Sequence, residues 1–203
     1  MTPPDLSIIG EITSDTTRQI VDVLRRSKGQ PVHIEINSIG GQAFQGIAGF
    51  NAVREHGRAT VTVTGLAASA AATIALGGAN IRMYRNSMMM IHFSSMLTVG
   101  GSQDHRNSAE MLEKMDTQYV QLVAEVSGHP EERVRAWLEQ ETWLTAQEAV
   151  DLNFADEVIE FDRADLVPVA QSQRDLWSKF TRMPTDIRAI FESTSRNDLN
   201  QPA

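Results

Sequence analysis

Pro31-Val32-His33-Ile34-Glu35-Ile36-Asn37-Ser38-Ile39-Gly40-Gly41 is the stretch on which the fold turns. Val32, Ile34 and Ile36 alternate with polar neighbours, the period of a strand with one buried side. The strand empties into a glycine pair, and Ala43, Phe44, Ile47, Ala48 and Phe50 then recur at helical spacing up to Val53, with Gly57 to stop them. A strand that passes through glycines into a helix is the unit of an α/β fold.

Working outward, the same rhythm repeats. Upstream, Leu6 to Ile12 reads as a short strand, and Ser14 or Asp15 is placed to cap a helix striped by Ile20, Val21 and Leu24. Downstream, Ala59 to Thr64 is β-branched and strand-like. Gly65 then opens the small-residue run Leu66 to Leu76, which predicts a buried helix closed by Gly77-Gly78. Ile81 to Tyr84 and Met88 to His92 predict two short strands around Arg85-Asn86. A long amphipathic helix is expected from Ser102 to Val126, with Met111, Met115, Tyr119, Leu122 and Val126 on one stripe that suits a partner surface. His129-Pro130 breaks it, Glu131 to Glu139 is a short helix, Thr145 to Glu148 matches a capping box, and Phe154 to Ile159 should be the last strand.

All 13 glycines lie at or before Gly128, and beyond Glu160 the chain carries only weak helical patterns interrupted by Pro168, Pro184 and Pro202. We therefore expect one domain over residues 1–160, and a tail, linker or partner-binding segment over 161–203. Composition narrows the function. With 18 Lys+Arg against 26 Asp+Glu the net charge is −8, which lacks the basic footprint of a nucleic-acid binder. No cysteine is present, so thiolate metal sites, disulfides and cysteine nucleophiles are all excluded. No apolar run is long enough to span a membrane and the N-terminus has no leader pattern, so a cytoplasmic protein is expected.

Without cysteine, covalent catalysis must use a hydroxyl, a lysine or a carboxylate. Three places attract attention. The turn at Gly40-Gly41 offers backbone N–H groups to an oxyanion or a phosphate, although glycine there also serves ordinary turn geometry. Ser69, set among alanines at a predicted helix start, is placed as a nucleophile, or simply as a capping hydroxyl. His92, delivered at the end of the apolar strand Met88 to Ile91, is the best-placed base of the five histidines, although a satisfied core histidine is the commoner case.

The order of these pieces adds information. Asn37-Ser38-x-Gly40-Gly41, Gly65-x-Ala67-Ala68-Ser69, Met90-Ile91-His92, and Trp143-Leu144-Thr145-Ala146-x-Glu148-Ala149 followed by Ala155-Asp156-Glu157-Val158 together resemble the proteolytic subunit of the Clp protease, ClpP. The shorter phage and prophage members found among head-assembly proteins are the nearer likeness, over about residues 7 to 160. The resemblance implies a ClpP/crotonase-like spiral of ββα units, with a strand-helix handle matched by Gly100-Gly101-Ser102 and the helix to Val126.

It further implies a serine endopeptidase with Ser69 as nucleophile, His92 as general base, the amides of Gly41 and Ala70 as oxyanion hole, and no cofactor or metal. Its third catalytic member falls on Glu141, with Glu139 as a fallback, where the family usually has aspartate. Ile39 replaces the family's usual proline. Peptide or protein substrates, a homo-oligomer that forms rings, and capsid or scaffold processing are the implied context. Dependence on an ATPase unfoldase is doubtful, because the chain starts almost at the first core strand. Two other readings share the features: a crotonase-like acyl-CoA enzyme, and a catalytically silent scaffold component.

Overall fold

A computed structural model describes residues 3–160, and the segment expected to be a tail, 161–203, lies outside them. The elements run in the order β1 (Leu6–Ile12), α1 (Ser14–Arg26), β2 (Val32–Gly41), α2 (Ala43–His56), β3 (Ala59–Ala68), α3 (Ala70–Ala75), β4 (Asn80–Tyr84), β5 (Met88–Ile91), α4 (Ser102–Ser127), α5 (Glu131–Glu139), β6 (Thr142–Thr145), α6 (Ala146–Asp151) and β7 (Glu157–Ile159). The architecture is α/β with a mostly parallel sheet of order β1-β2-β3-β4-β7. Parallel neighbours need crossover connections, and α1, α2 and α3 supply them between successive strands.

Strand β3 does two jobs. Thr60 to Val63 pair with β4, whereas Leu66 to Ala68 pair with Met88 to Met90 of β5. The divergence falls at Gly65, where an added Cβ would meet Asn37 Oδ1 at 2.8 Å, and the Leu66 N–H donates to that same oxygen at 3.2 Å. β5 then carries β6 on its other side, antiparallel, with Met88 opposite Thr145 and Ile91 opposite Thr142.

Two expectations are corrected here. The small-residue run is not one helix: Leu66, Ala67 and Ala68 extend β3, and only Ala70–Ala75 is helical. Alanine propensity favoured helix throughout, but these residues complete the ladder to β5, and tertiary pairing overrides local preference. Similarly, Gly40-Gly41 belongs to β2 itself, paired with Glu11 and Ile12 of β1, so the helix starts at Ala43 without an intervening turn of glycines.

The buried face of α2 differs from the expected stripe as well. Phe44 is 57% exposed, and Gly46, Gly49, Phe50 and Val53 face inward. A Cβ on Gly46 would fall 2.9 Å from Ala70 Cα, and one on Gly49 would fall 2.8 Å from Ile74 Cγ1. The small residues let α2 lie close on α3, which presses the start of α3 toward the sheet. Smaller differences follow the same logic of packing. Thr13, not Ser14 or Asp15, caps α1, and its N–H donates to Thr16 Oγ1 at 3.2 Å. In α4 the core side is Tyr119, Val120, Val123 and Ser127, while Met111 stays exposed.

Candidate active site

Ser69 sits between the last residue of β3 and the first of α3, at φ +54° and ψ −124°. A side chain other than glycine rarely adopts a positive φ, and such strain persists only where the surroundings impose it. They do so here. The Ser69 N–H donates to the Met90 carbonyl at 2.9 Å, continuing the β3–β5 ladder, and its own carbonyl accepts the Thr73 N–H at 3.0 Å, opening α3. The sharp strand-to-helix elbow lifts the hydroxyl clear of the sheet. His92 directly follows β5, the strand paired with the end of β3, and its Nε2 lies 2.8 Å from Ser69 Oγ.

Among the described residues, two other hydroxyl–histidine pairs have similar lengths: Ser27 with His56 at 2.9 Å and Thr62 with His33 at 2.9 Å. Neither is arranged like the first. Ser27 Oγ gives its proton to the Leu24 carbonyl at 2.7 Å, so His56 Nε2 must be the donor and cannot take a proton from that serine. Thr62 and His33 meet diagonally within β3 and β2, where neighbouring amides are committed to the ladder. Among the described residues Ser69 Oγ has no hydrogen-bond partner besides His92 and stands where a strand ends and a helix begins, so its proton is free to pass to His92.

Gly40 lies against this elbow. A Cβ on it would meet the Ala68 carbonyl at 2.6 Å, Ser69 Cβ at 2.7 Å and the Ala70 nitrogen at 3.2 Å, and its φ is +95°. Only glycine lets the chain run so near Ser69. The approach is pinned by Ser38, which is buried: its Oγ donates to the Gly10 carbonyl at 2.5 Å and accepts the Gly40 N–H at 3.1 Å. The stiffness that Ile39 cannot supply as proline would is thus provided by its neighbour. Ala70 opens α3, and the first amides of a helix have no intrahelical acceptor.

The sequence pattern of the Clp protease family matches residues 5–162. The chain belongs to the Clp protease family. It is 30% identical over 151 residues to the ATP-dependent Clp protease proteolytic subunit 2 of Treponema denticola, covering 73% of this chain and 76% of that one. It is 31% identical over 159 residues to the ATP-dependent Clp protease proteolytic subunit of Paracoccus denitrificans, covering 75% and 79%. The corresponding subunit of Bacteroides fragilis is 28% identical over 155 residues, covering 74% of this chain and 75% of its own.

Against this Clp-family frame, the expected third member stands apart from the pair. Glu141 is exposed, at φ +52°, and its Oε1 accepts the indole N–H of Trp143 at 3.2 Å. No hydrogen bond joins it to His92 among the described residues. His92 follows and Glu141 precedes the last β5–β6 pair, Ile91 with Thr142, by one residue. Glu139 is exposed at the end of α5.

The cavity beside Ser69 is lined by Ala43, Ile47, Thr73, Ser94, Met115 and Tyr119, in addition to the pair itself and Ala70. Tyr119 is buried, and its hydroxyl and Thr73 Oγ1 share a hydrogen bond of 3.1 Å. Burial pushes the Tyr119 phenol above its usual range, and the Thr73 bond offsets part of that rise. Sequence reasoning placed Met115 and Tyr119 on a partner-facing stripe and did not assign them to the site. The signal was present in the helical period, but nothing local states which neighbour a stripe meets. Among the described residues no cluster of His, Asp and Glu suits a metal ion, and no helix is long and apolar enough to cross a membrane.

Proposed function

We propose that this chain is a serine endopeptidase in which Ser69 attacks the scissile carbonyl and His92 accepts its proton. The carrying observation is the 2.8 Å Ser69 Oγ to His92 Nε2 contact at a positive-φ elbow, with the serine proton uncommitted. The imidazolium returns the proton to the leaving amine, and water then releases the acyl group by the same path in reverse. The amides of Gly41 and Ala70 receive the developing oxyanion, a reading supported by the contact of Gly40 with Ser69 and Ala70. Glu141 fixes the Nδ1–H tautomer once its carboxylate leaves Trp143 for the imidazole.

The working context carried over from the family is a cytoplasmic, ring-forming homo-oligomer acting on peptides or protein chains. The narrower role in capsid or scaffold processing rests on the sequence resemblance to phage and prophage members. It is tested by co-expression with head proteins, which should be cleaved at defined sites while unrelated unfolded chains are spared.

The second reading, a silent assembly component, draws on one observation: the Glu141 carboxylate is bonded to Trp143 and not to His92. Labelling with a fluorophosphonate probe separates the two. Modification of Ser69 that is lost in Ser69→Ala and in His92→Ala supports the peptidase, and a folded, assembled chain that never reacts supports the scaffold. Turnover of an acyl-CoA thioester that persists in Ser69→Ala would favour crotonase-like chemistry instead.

A further inference from the structure

The carbonyl of Ser69 and the N–H of Ala70 belong to one peptide unit, which is planar and trans, so whatever holds the carbonyl also aims the amide. Two donors hold it, both from Thr73. The Thr73 N–H lies 3.0 Å from the carbonyl oxygen, and the Thr73 hydroxyl donates to the same oxygen at 3.3 Å. Because a carbonyl only accepts and a hydroxyl has one proton, Thr73 has none left for the Tyr119 oxygen 3.1 Å away. Tyr119 is therefore the donor in that bond, and the order runs from the phenol O–H to the Thr73 hydroxyl to the Ser69 carbonyl. Thr73 and Tyr119 are both buried, and both line the cavity that holds Ser69 and His92.

A threonine that bonds back to the carbonyl four residues earlier is by itself ordinary in a helix. Ser108, Thr117 and Ser127 do the same along α4, with no other side chain on the hydroxyl among the described residues. Thr73 differs in two respects. Its hydroxyl is fixed by a second one from a different element, since Tyr119 is the first buried residue of α4. The carbonyl it holds also belongs to Ser69, whose φ of +54° persists only where several contacts impose it. The Ser69 N–H, bonded to the Met90 carbonyl, fixes one side of that residue, and Thr73 fixes the other. Successive hydrogen bonds polarise one another, so a carbonyl that accepts two makes its own peptide N–H a stronger donor.

We propose that Thr73, oriented by Tyr119, is a positioning residue for catalysis, which holds the peptide between Ser69 and Ala70 so that the Ala70 N–H faces the developing oxyanion. The inference rests on the serine-peptidase reading, in which Ala70 supplies one of the oxyanion donors. It gives two side chains control over a backbone donor that side-chain truncation cannot remove, and preorganised donors of this kind act only if they are already aimed when charge develops.

The test uses the full chain. Peptide hydrolysis, fluorophosphonate labelling and thermal unfolding are measured for wild type, Thr73→Val, Thr73→Ser and Tyr119→Phe. Thr73→Val keeps the shape and loses the hydroxyl, and should lower kcat roughly 3- to 10-fold with KM nearly unchanged. That is well short of the roughly 100- to 1,000-fold that follows loss of a whole oxyanion donor. Thr73→Ser restores the hydroxyl and should recover most of the rate. Tyr119→Phe leaves Thr73 without its orienting donor, and should lower kcat roughly 2- to 5-fold. Labelling should slow in step with kcat, because the phosphonyl oxygen takes the place of the oxyanion. A folded Thr73→Val protein with wild-type kcat overturns the inference, since a structural role alone would lower only its melting temperature. Wild-type kcat in Tyr119→Phe, which keeps the ring in the core, also overturns it and does not depend on Thr73→Val folding. A folded wild type that never reacts at Ser69 overturns the peptidase reading, and the role of Thr73 with it. A reactive wild type whose rate is indifferent to Thr73 overturns the inference alone.

Discussion

Trp143 Nε1 donates to Glu141 Oε1 at 3.2 Å, and the bond ties the carboxylate to the indole just beyond the last β5–β6 pair, Ile91 and Thr142. In the proposed mechanism the indole is therefore a competitor for the carboxylate that would pair with the imidazole. An exposed hydrogen bond of this kind is worth about 1 kcal/mol, which is roughly fivefold in a population.

Trp143→Phe keeps the ring and removes the donor, so Ser69 should label up to about fivefold faster in that variant. Glu141→Gln should slow labelling and hydrolysis by more than tenfold, since an amide cannot charge-balance the imidazolium; loss of a buried triad carboxylate elsewhere reaches about 10⁴. Unchanged kinetics in Glu141→Gln would remove Glu141 from the mechanism and turn attention to Glu139.

Ser69→Ala and His92→Ala should each reduce peptide hydrolysis by at least about 10³-fold. Neither side chain supports the core, because both are half-buried and bonded to each other. Thermal unfolding should consequently shift by no more than a few degrees in either variant. A large fall in melting temperature would assign the pair a structural role.

The glycine beside Ser69 can be separated from glycines that serve the backbone alone. In Gly40→Ala the new methyl meets the Ala68 carbonyl and Ser69 Cβ at a positive φ, whereas Gly128, also at positive φ, has nothing within 4 Å. Gly128→Ala should cost about 1 kcal/mol from backbone strain and leave labelling intact. Gly40→Ala should cost about 2–3 kcal/mol more and abolish labelling. Chemical denaturation and probe labelling of both variants check the contrast.

Removal of the Ser38 hydroxyl should affect rate more than substrate binding. Ser38→Ala leaves the Gly10 carbonyl and the Gly40 N–H without their shared partner. The expected cost is about 1–3 kcal/mol of stability. A lower kcat at nearly constant KM would connect Ser38 to oxyanion stabilisation, and an effect on stability alone would limit it to the fold.

Asp116 also predicts a pH dependence. Its pKa is raised in the folded protein, mainly by burial, so the native state favours the protonated form more than the unfolded chain does. Its contribution to stability is then present below the unfolded value of 3.8 and is lost as pH rises through the higher folded value. Asp116→Asn should unfold at higher denaturant than wild type near neutral pH, and the difference should vanish in acid. Equal midpoints at neutral pH would show that the charged form is well tolerated.

Much of this was written in the sequence. Alternation at Val32, Ile34 and Ile36, the helical spacing of Ile20 and Leu24, and the breaks at Gly57 and His129-Pro130 are set by residues within one turn or one pleat of each other, and the elements formed where those patterns stood. Ser69 and His92 were legible for a similar reason, since each lies where an element changes, and strand ends are where backbone groups and side chains become free for chemistry. The run from Leu66 to Ala68 was not, because alanine and leucine carry no information about which strand will pair with them.

What only the tertiary structure decided are the relations between distant segments. The divergence of β3 toward β4 and β5 brings His92 onto Ser69, the small residues of α2 let α3 sit close, and α4 carries Met115 and Tyr119 to the site. The register of β5 against β6 ends at Ile91 opposite Thr142, one residue short of His92 and Glu141, while Trp143 holds the Glu141 carboxylate. Local pattern records which side of an element is buried, because burial is a property of each residue's own surface. It does not record against what, because that is fixed by pairing energies summed over the whole sheet.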